Sequence, residues 1–72
     1  MPDQLARDLQ AKAQSALAES AVAALRDLQV EHVGDALLLR GVVSSFYHKQ
    51  LAQEMVRVVV GDAALVNEID VR

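Results

Sequence analysis

Ala36-Leu37-Leu38-Leu39-Arg40-Gly41-Val42-Val43-Ser44-Ser45 is the stretch on which the fold turns. A period of two runs through residues 36–43. It places Leu37, Leu39, Gly41 and Val43 on one face of a strand and Leu38, Arg40 and Val42 on the other. Ser44 and Ser45 are helix N-cap residue types, so the strand hands over to a helix. That helix is predicted to run to about Val60, with Leu51, Ala52, Met55, Val56 and Val59 as its apolar face. Gln50, Gln53, Glu54 and Arg57 form its wet face, and Gly61 stands where a helix-ending glycine belongs.

Working outward, Gly34-Asp35 separates this strand from a weaker alternation at 29–33, which is a hairpin signal. Downstream, residues 65–71 alternate again. Leu65, Asn67, Ile69 and Val71 face one way, and Val66, Glu68, Asp70 and Arg72 the other. Upstream, no Pro or Gly interrupts residues 3–28, with Asp3 as the expected N-cap. This segment reads as one long helix or two helices with a soft break. Its apolar residues do not form one stripe. Leu5 and Leu9 lie together, whereas Leu17, Ala21, Ala24, Leu25 and Leu28 cluster roughly 120° further round the helical wheel.

The element order is therefore α-β-β-α-β. The fold class is α+β, with a small three-stranded mixed sheet and two helices packed on one face. The connection from the second strand to the third is a crossover, expected to be right-handed. A helix over the whole of 3–28 would be about 39 Å long at ~1.5 Å per residue, too long for so small a sheet. Residues 1–14 are accordingly expected to be an Ala-rich helical extension or linker, and 15–72 the domain proper. Pairing of two copies through Leu5, Leu9, Ala13 and Ala16 would bury the overhang, which makes a homo-oligomer an expected partner.

Composition excludes several functions. The 72 residues suffice for one domain. A net charge of −3 and the lack of a basic stripe argue against nucleic acid as a partner. Without cysteine there is neither a disulfide nor a thiolate zinc site. No apolar run approaches the ~20 residues of a transmembrane helix, and the first residues do not form a signal peptide. As written, the chain reads as cytoplasmic, or else as a trimmed domain of an exported protein.

The run 24–25 (Ala-Leu), the Leu39-Arg40-Gly41-Val42-Val43 strand end, Ala52 in the second helix, and Leu65-Val66-Asn67-Glu68-Ile69-Asp70-Val71 together resemble a BON domain. This is a small bacterial module of osmotically induced and nodulation proteins. The resemblance spans roughly residues 15–72. One departure is Gly61-Asp62-Ala63-Ala64, where the family usually has Gly-Val, so that connection is expected to differ in shape. The resemblance implies a non-catalytic module that binds phospholipid or another hydrophobic ligand of the cell envelope, without a cofactor. The alternative is a protein–protein interaction or oligomerisation domain with no lipid ligand.

Individual residues add detail. Phe46 lies off the apolar arc of the second helix, with Gln50 on its side of the wheel and Lys49 and Arg57 bordering it. An exposed ring beside cations suits a membrane surface or a partner, so Phe46, Lys49, Gln50 and Arg57 are the candidate contacts. Gly34, Gly41 and Gly61 are structural; at Gly41 the missing side chain is expected to let helix and sheet approach closely. Asn67 interrupts an apolar strand face and is expected to hydrogen-bond a neighbouring loop. His32 and His48 fall at opposite ends of the second strand, about 20 Å apart at ~3.3 Å per residue. They form no shared metal site, and each is expected to be a hydrogen-bonded, partly buried imidazole. Ser44 and Ser45 lack the surroundings of a nucleophile, and the carboxylates are scattered, so no catalytic constellation emerges.

Overall fold

The computed structural model describes residues 2–72. Helix α1 (Asp3–Ala18) is followed by a single 3-10 turn (Ala23–Leu25), strands β1 (Gln29–Val33) and β2 (Ala36–Arg40), and the short β3 (Val42–Val43). Helix α2 (Phe46–Val60) then leads to β4 (Ala64–Asn67) and β5 (Asp70–Val71). β1 and β2 are antiparallel, and β4 joins β2 in parallel, giving the order β1-β2-β4. This is the expected small mixed sheet, with α1 and α2 packed together over one face.

β3 and β5 continue β2 and β4. The parallel pairing keeps one register of 28 residues throughout: Ala36 with Ala64, Leu39 with Asn67, Val42 with Asp70, Val43 with Val71. The N–H groups of Glu68, Asp70 and Arg72 donate to the carbonyls of Leu39, Gly41 and Val43, each at 2.9 Å. One bent strand pair, kinked at Gly41, thus replaces the two straight strands read from the alternation.

Local chemistry explains the connections. Gly34 has φ +58° and Asp35 has a negative φ, the pattern of a two-residue hairpin turn with glycine first. The hydroxyl oxygen of Ser45 accepts the His48 N–H at 3.1 Å and caps α2. Gly61 closes α2, its N–H donating to Arg57 O at 2.9 Å. The start of α1 differs from expectation: Pro2 occupies the cap position and Asp3 is the first helical residue, where its carboxylate favours the positive helix end.

Of the two readings of residues 3–28, the structure has the broken one: α1 stops at Ala18, and only a single 3-10 turn at Ala23–Leu25 follows. Ser20 is buried, and its hydroxyl oxygen accepts the Val22 N–H at 3.0 Å, turning the chain. Arg26 Nε donates to Ser20 O at 2.8 Å and holds the turn closed. Helix α1 runs unbroken through the boundary drawn between residues 14 and 15. Its inner face is Ala6, Ala13 and Leu17, all fully buried, and it packs on β1 and α2. Ala13 therefore belongs to the domain core. The seam of Leu5, Leu9, Ala13 and Ala16 is not presented as one surface, because Leu9 also packs against that core.

Two glutamines of α1 reach the outer edge of β1. Gln14 accepts the Val30 N–H at 2.8 Å and donates to Leu28 O at 2.8 Å. Gln10 donates to Val30 O at 2.9 Å.

The core joins Leu17, Leu25, Leu28, Val30, Leu37, Leu39, Val43, Ala52, Val56, Val60 and Ile69. Leu51, Met55 and Val59 of the predicted apolar face, and Leu65 of the last strand, flank it half-buried. The smaller Ala52 and Val56 take the central line of α2 because they let the helix approach the sheet closely. Leu39 is fully enclosed, so Leu39→Ala is expected to cost about 3 kcal/mol through lost burial and a residual cavity. A urea melt checks this; an unchanged midpoint would show that strand β2 does not carry the core.

Gly41 lies against Leu28, and the expected close approach of helix α2 is replaced by this contact. A Cβ built there would sit 2.5 Å from Leu28 Cδ2 and 3.4 Å from Leu28 Cα.

Candidate functional site at the start of helix α2

The β3–α2 corner is fixed from three sides. Ser45 caps the helix, β3 is held by β5, and Asn67 at the end of β4 grips the helix backbone. The Asn67 amide donates to Lys49 O at 3.0 Å and to Gln53 Oε1 at 3.2 Å. Its Oδ1 accepts the Ile69 N–H at 3.1 Å. Asn67 therefore ties the first turns of α2 to the sheet, where a bond to a neighbouring loop was expected; only its contact with the Ile69 N–H is of that kind.

On this rigid corner two aromatic side chains stand in solvent. Phe46 is 75% exposed and Tyr47 70% exposed. Val42 is also exposed, which places three apolar side chains outside the core within one short stretch of chain. A folded corner held by this many bonds has no conformational need for bare rings; buried or capped rings would lower the exposed apolar area. Phe46 does not fold back as a cap over the end of the strand. Tyr47 is a site residue that the helical wheel alone does not single out, because the wheel position of Phe46 is the more conspicuous. Its adjacency to Phe46 in the first helical turn was the available signal.

The other sequence-selected residues divide. Lys49 is half-buried and Gln50 exposed in the same first turns, with Gln50 Nε2 donating to Glu54 at 3.4 Å. Arg57 lies eleven residues beyond Phe46, about 16 Å along the axis at ~1.5 Å per residue. Its Nη1 donates to Gly61 O at 2.8 Å and to Ala63 O at 2.6 Å. Arg57 thus caps the C-terminal end of α2 and the connection into β4. The structure brings Phe46, Lys49 and Gln50 together and places Arg57 apart from them.

His48 follows Tyr47, with ring centroids 5.6 Å apart. Its Nδ1 is buried and has no hydrogen-bond partner among the described residues, against the expectation of a satisfied imidazole. Among the described residues no cluster of three or more His or acidic side chains could hold a metal. None of their helices is long and apolar enough to cross a membrane.

Two shallow depressions mark the rest of the surface. One, of about 450 Å³, lies between α1 and α2 against Ala11, Lys12, Ser15, Ala16, Glu19 and Val59. The other, of about 380 Å³, lies beside β3 against Arg40, Gly41, Val42, Glu68 and Asp70. Both are open to solvent, and neither encloses a small molecule as a binding pocket does.

A search of curated proteins finds no significant match. The family model of the BON domain matches residues 6–72, nearly the whole chain, beginning inside α1 and ending at the last residue. The chain belongs to the BON domain family of small binding modules.

Proposed function

We propose that this domain binds a phospholipid surface, or another hydrophobic component of the cell envelope, through the start of helix α2. The observation that carries the reading is the exposure of Phe46 and Tyr47 on a corner braced by Ser45 and Asn67. An aromatic ring with a polar tip, such as Tyr47, suits the boundary between headgroups and acyl chains. Lys49 and Gln50 stand beside the rings as polar contacts, and no reacting group is needed. Phe46→Ser is expected to weaken co-sedimentation with phospholipid vesicles by about fivefold, the scale of losing one partly inserted ring. Because the ring touches little of the core, the thermal midpoint should stay within about 2 °C of the parent, as for surface changes generally. Equal vesicle binding by parent and variant would remove Phe46 from the site.

Association with protein is the second reading. It draws on the uncovered face of the sheet, where Val33 and Val66 are exposed on the side away from the helices. Sedimentation velocity across a concentration series distinguishes it, since self-association moves the coefficient upward and lipid binding does not.

A further inference from the structure

We infer that the α2 corner enters loosely packed bilayers as an apolar wedge, without selecting for anionic headgroups. The inference rests on the lipid-binding reading and concerns which membrane that site takes. It follows from where the positive charge has gone. Of the seven basic residues, Arg26 is held by the carbonyls of Ser20 and Ala21, and Arg57 by those of Gly61 and Ala63. Arg40 pairs with Glu31 at 3.1 Å and Arg72 with Asp70 at 3.5 Å. Arg7 and Lys12 are on α1. Lys49 is left as the one basic side chain in the first turn of α2, and it is half-buried.

The neighbouring strand pair offers no surplus of positive charge. Val42 pairs with Asp70 across β3 and β5, and there Arg40 and Arg72 are matched by Glu31, Glu68 and Asp70. The net charge of −3 adds a repulsion from any anionic surface. A site that gripped anionic lipid would place several free cations around the rings. Here the attraction must come from Phe46 and Tyr47, whose exposed apolar area needs a gap between headgroups. Such gaps are most frequent where a bilayer is strongly curved.

The chain carries its own reporter, because Tyr47 is its one tyrosine and tryptophan is absent. Tyrosine emission therefore reads this corner alone. The full chain would be titrated with phosphatidylcholine vesicles brominated on their acyl chains, small and sonicated or large and extruded. The same sizes would be prepared with phosphatidylglycerol, each at low and high salt. The expected result is quenching on small neutral vesicles, about fivefold tighter than on large ones, as packing-sensitive apolar insertion requires. Salt should change that affinity by less than about twofold, because screening acts on charge and not on apolar contact. Quenching that needs phosphatidylglycerol and falls about tenfold at high salt would overturn the wedge and leave the lipid reading standing. Equal affinity for small and large vesicles would do the same. Absence of quenching and of co-sedimentation on every composition would overturn both, and would assign the exposed rings to a protein surface.

Discussion

Removal of residues 1–14 is expected to abolish cooperative folding. The deletion leaves only the last turn of α1 and takes away Ala6, Leu9, Gln10, Ala13 and Gln14. Leu17, Leu28 and Val30 then lose the helix that covers them. A domain of this size has about 5 kcal/mol of stability or less to lose, and a buried helix face contributes more than that. The truncated chain should show no sigmoidal thermal transition in near-ultraviolet circular dichroism or amide exchange, where the full chain shows one. A truncated chain that melts cooperatively near the parent midpoint would return α1 to the status of an appendage. Sequence reasoning alone favours that second outcome, which makes this measurement the sharpest test of how α1 is placed.

Gly41→Val should cost about 2–6 kcal/mol and leave little folded protein. Two effects add. Gly41 has φ +138°, a conformation that a β-branched residue holds only under strain of about 1–3 kcal/mol. The new Cβ also meets the buried Leu28 at contact distances no real pair adopts, and overpacking costs about 1–3 kcal/mol more. The Leu28 side chain has nowhere to go, because it is enclosed by the core. Guanidinium titration of Gly41→Ala and Gly41→Val would separate the two, since alanine retains the backbone strain with less bulk. Wild-type stability for both variants would mean that the kink between β2 and β3 does not require glycine.

Much of this was legible in the sequence, for reasons that are local. Gly34-Asp35 sets the hairpin, Ser45 starts α2, Gly61 ends it, and the alternation of 65–71 survives in the burial of Leu65, Asn67, Ile69 and Val71 relative to their neighbours. α1 was not legible, because its signals are not hydrophobic. It ends through side-chain bonds of Ser20 and Arg26, with no Gly or Pro to announce the break. Its inner face is built from alanines, which weigh little on a hydrophobic wheel, and from two glutamines that any such wheel assigns to water. At the site, Phe46 stood out because an aromatic off the apolar arc is conspicuous. Arg57 looked like a partner for it on the wheel, but a residue four positions before Gly61 is also within reach of the free carbonyls at the helix end.

The glutamines of α1 also determine how far the sheet can grow. Gln14 and Gln10 satisfy the outward N–H and C=O of Val30 as a neighbouring strand would. That closes the start of the β1 edge, whereas β4 has a strand neighbour on one side only. Head-to-tail stacking of sheets into a fibre needs two open edges on every molecule. With the Val30 groups taken, a strand from another molecule finds part of the β1 edge already occupied. The pair of amide side chains on an otherwise unassuming helix thus works against edge-to-edge polymerisation from that side.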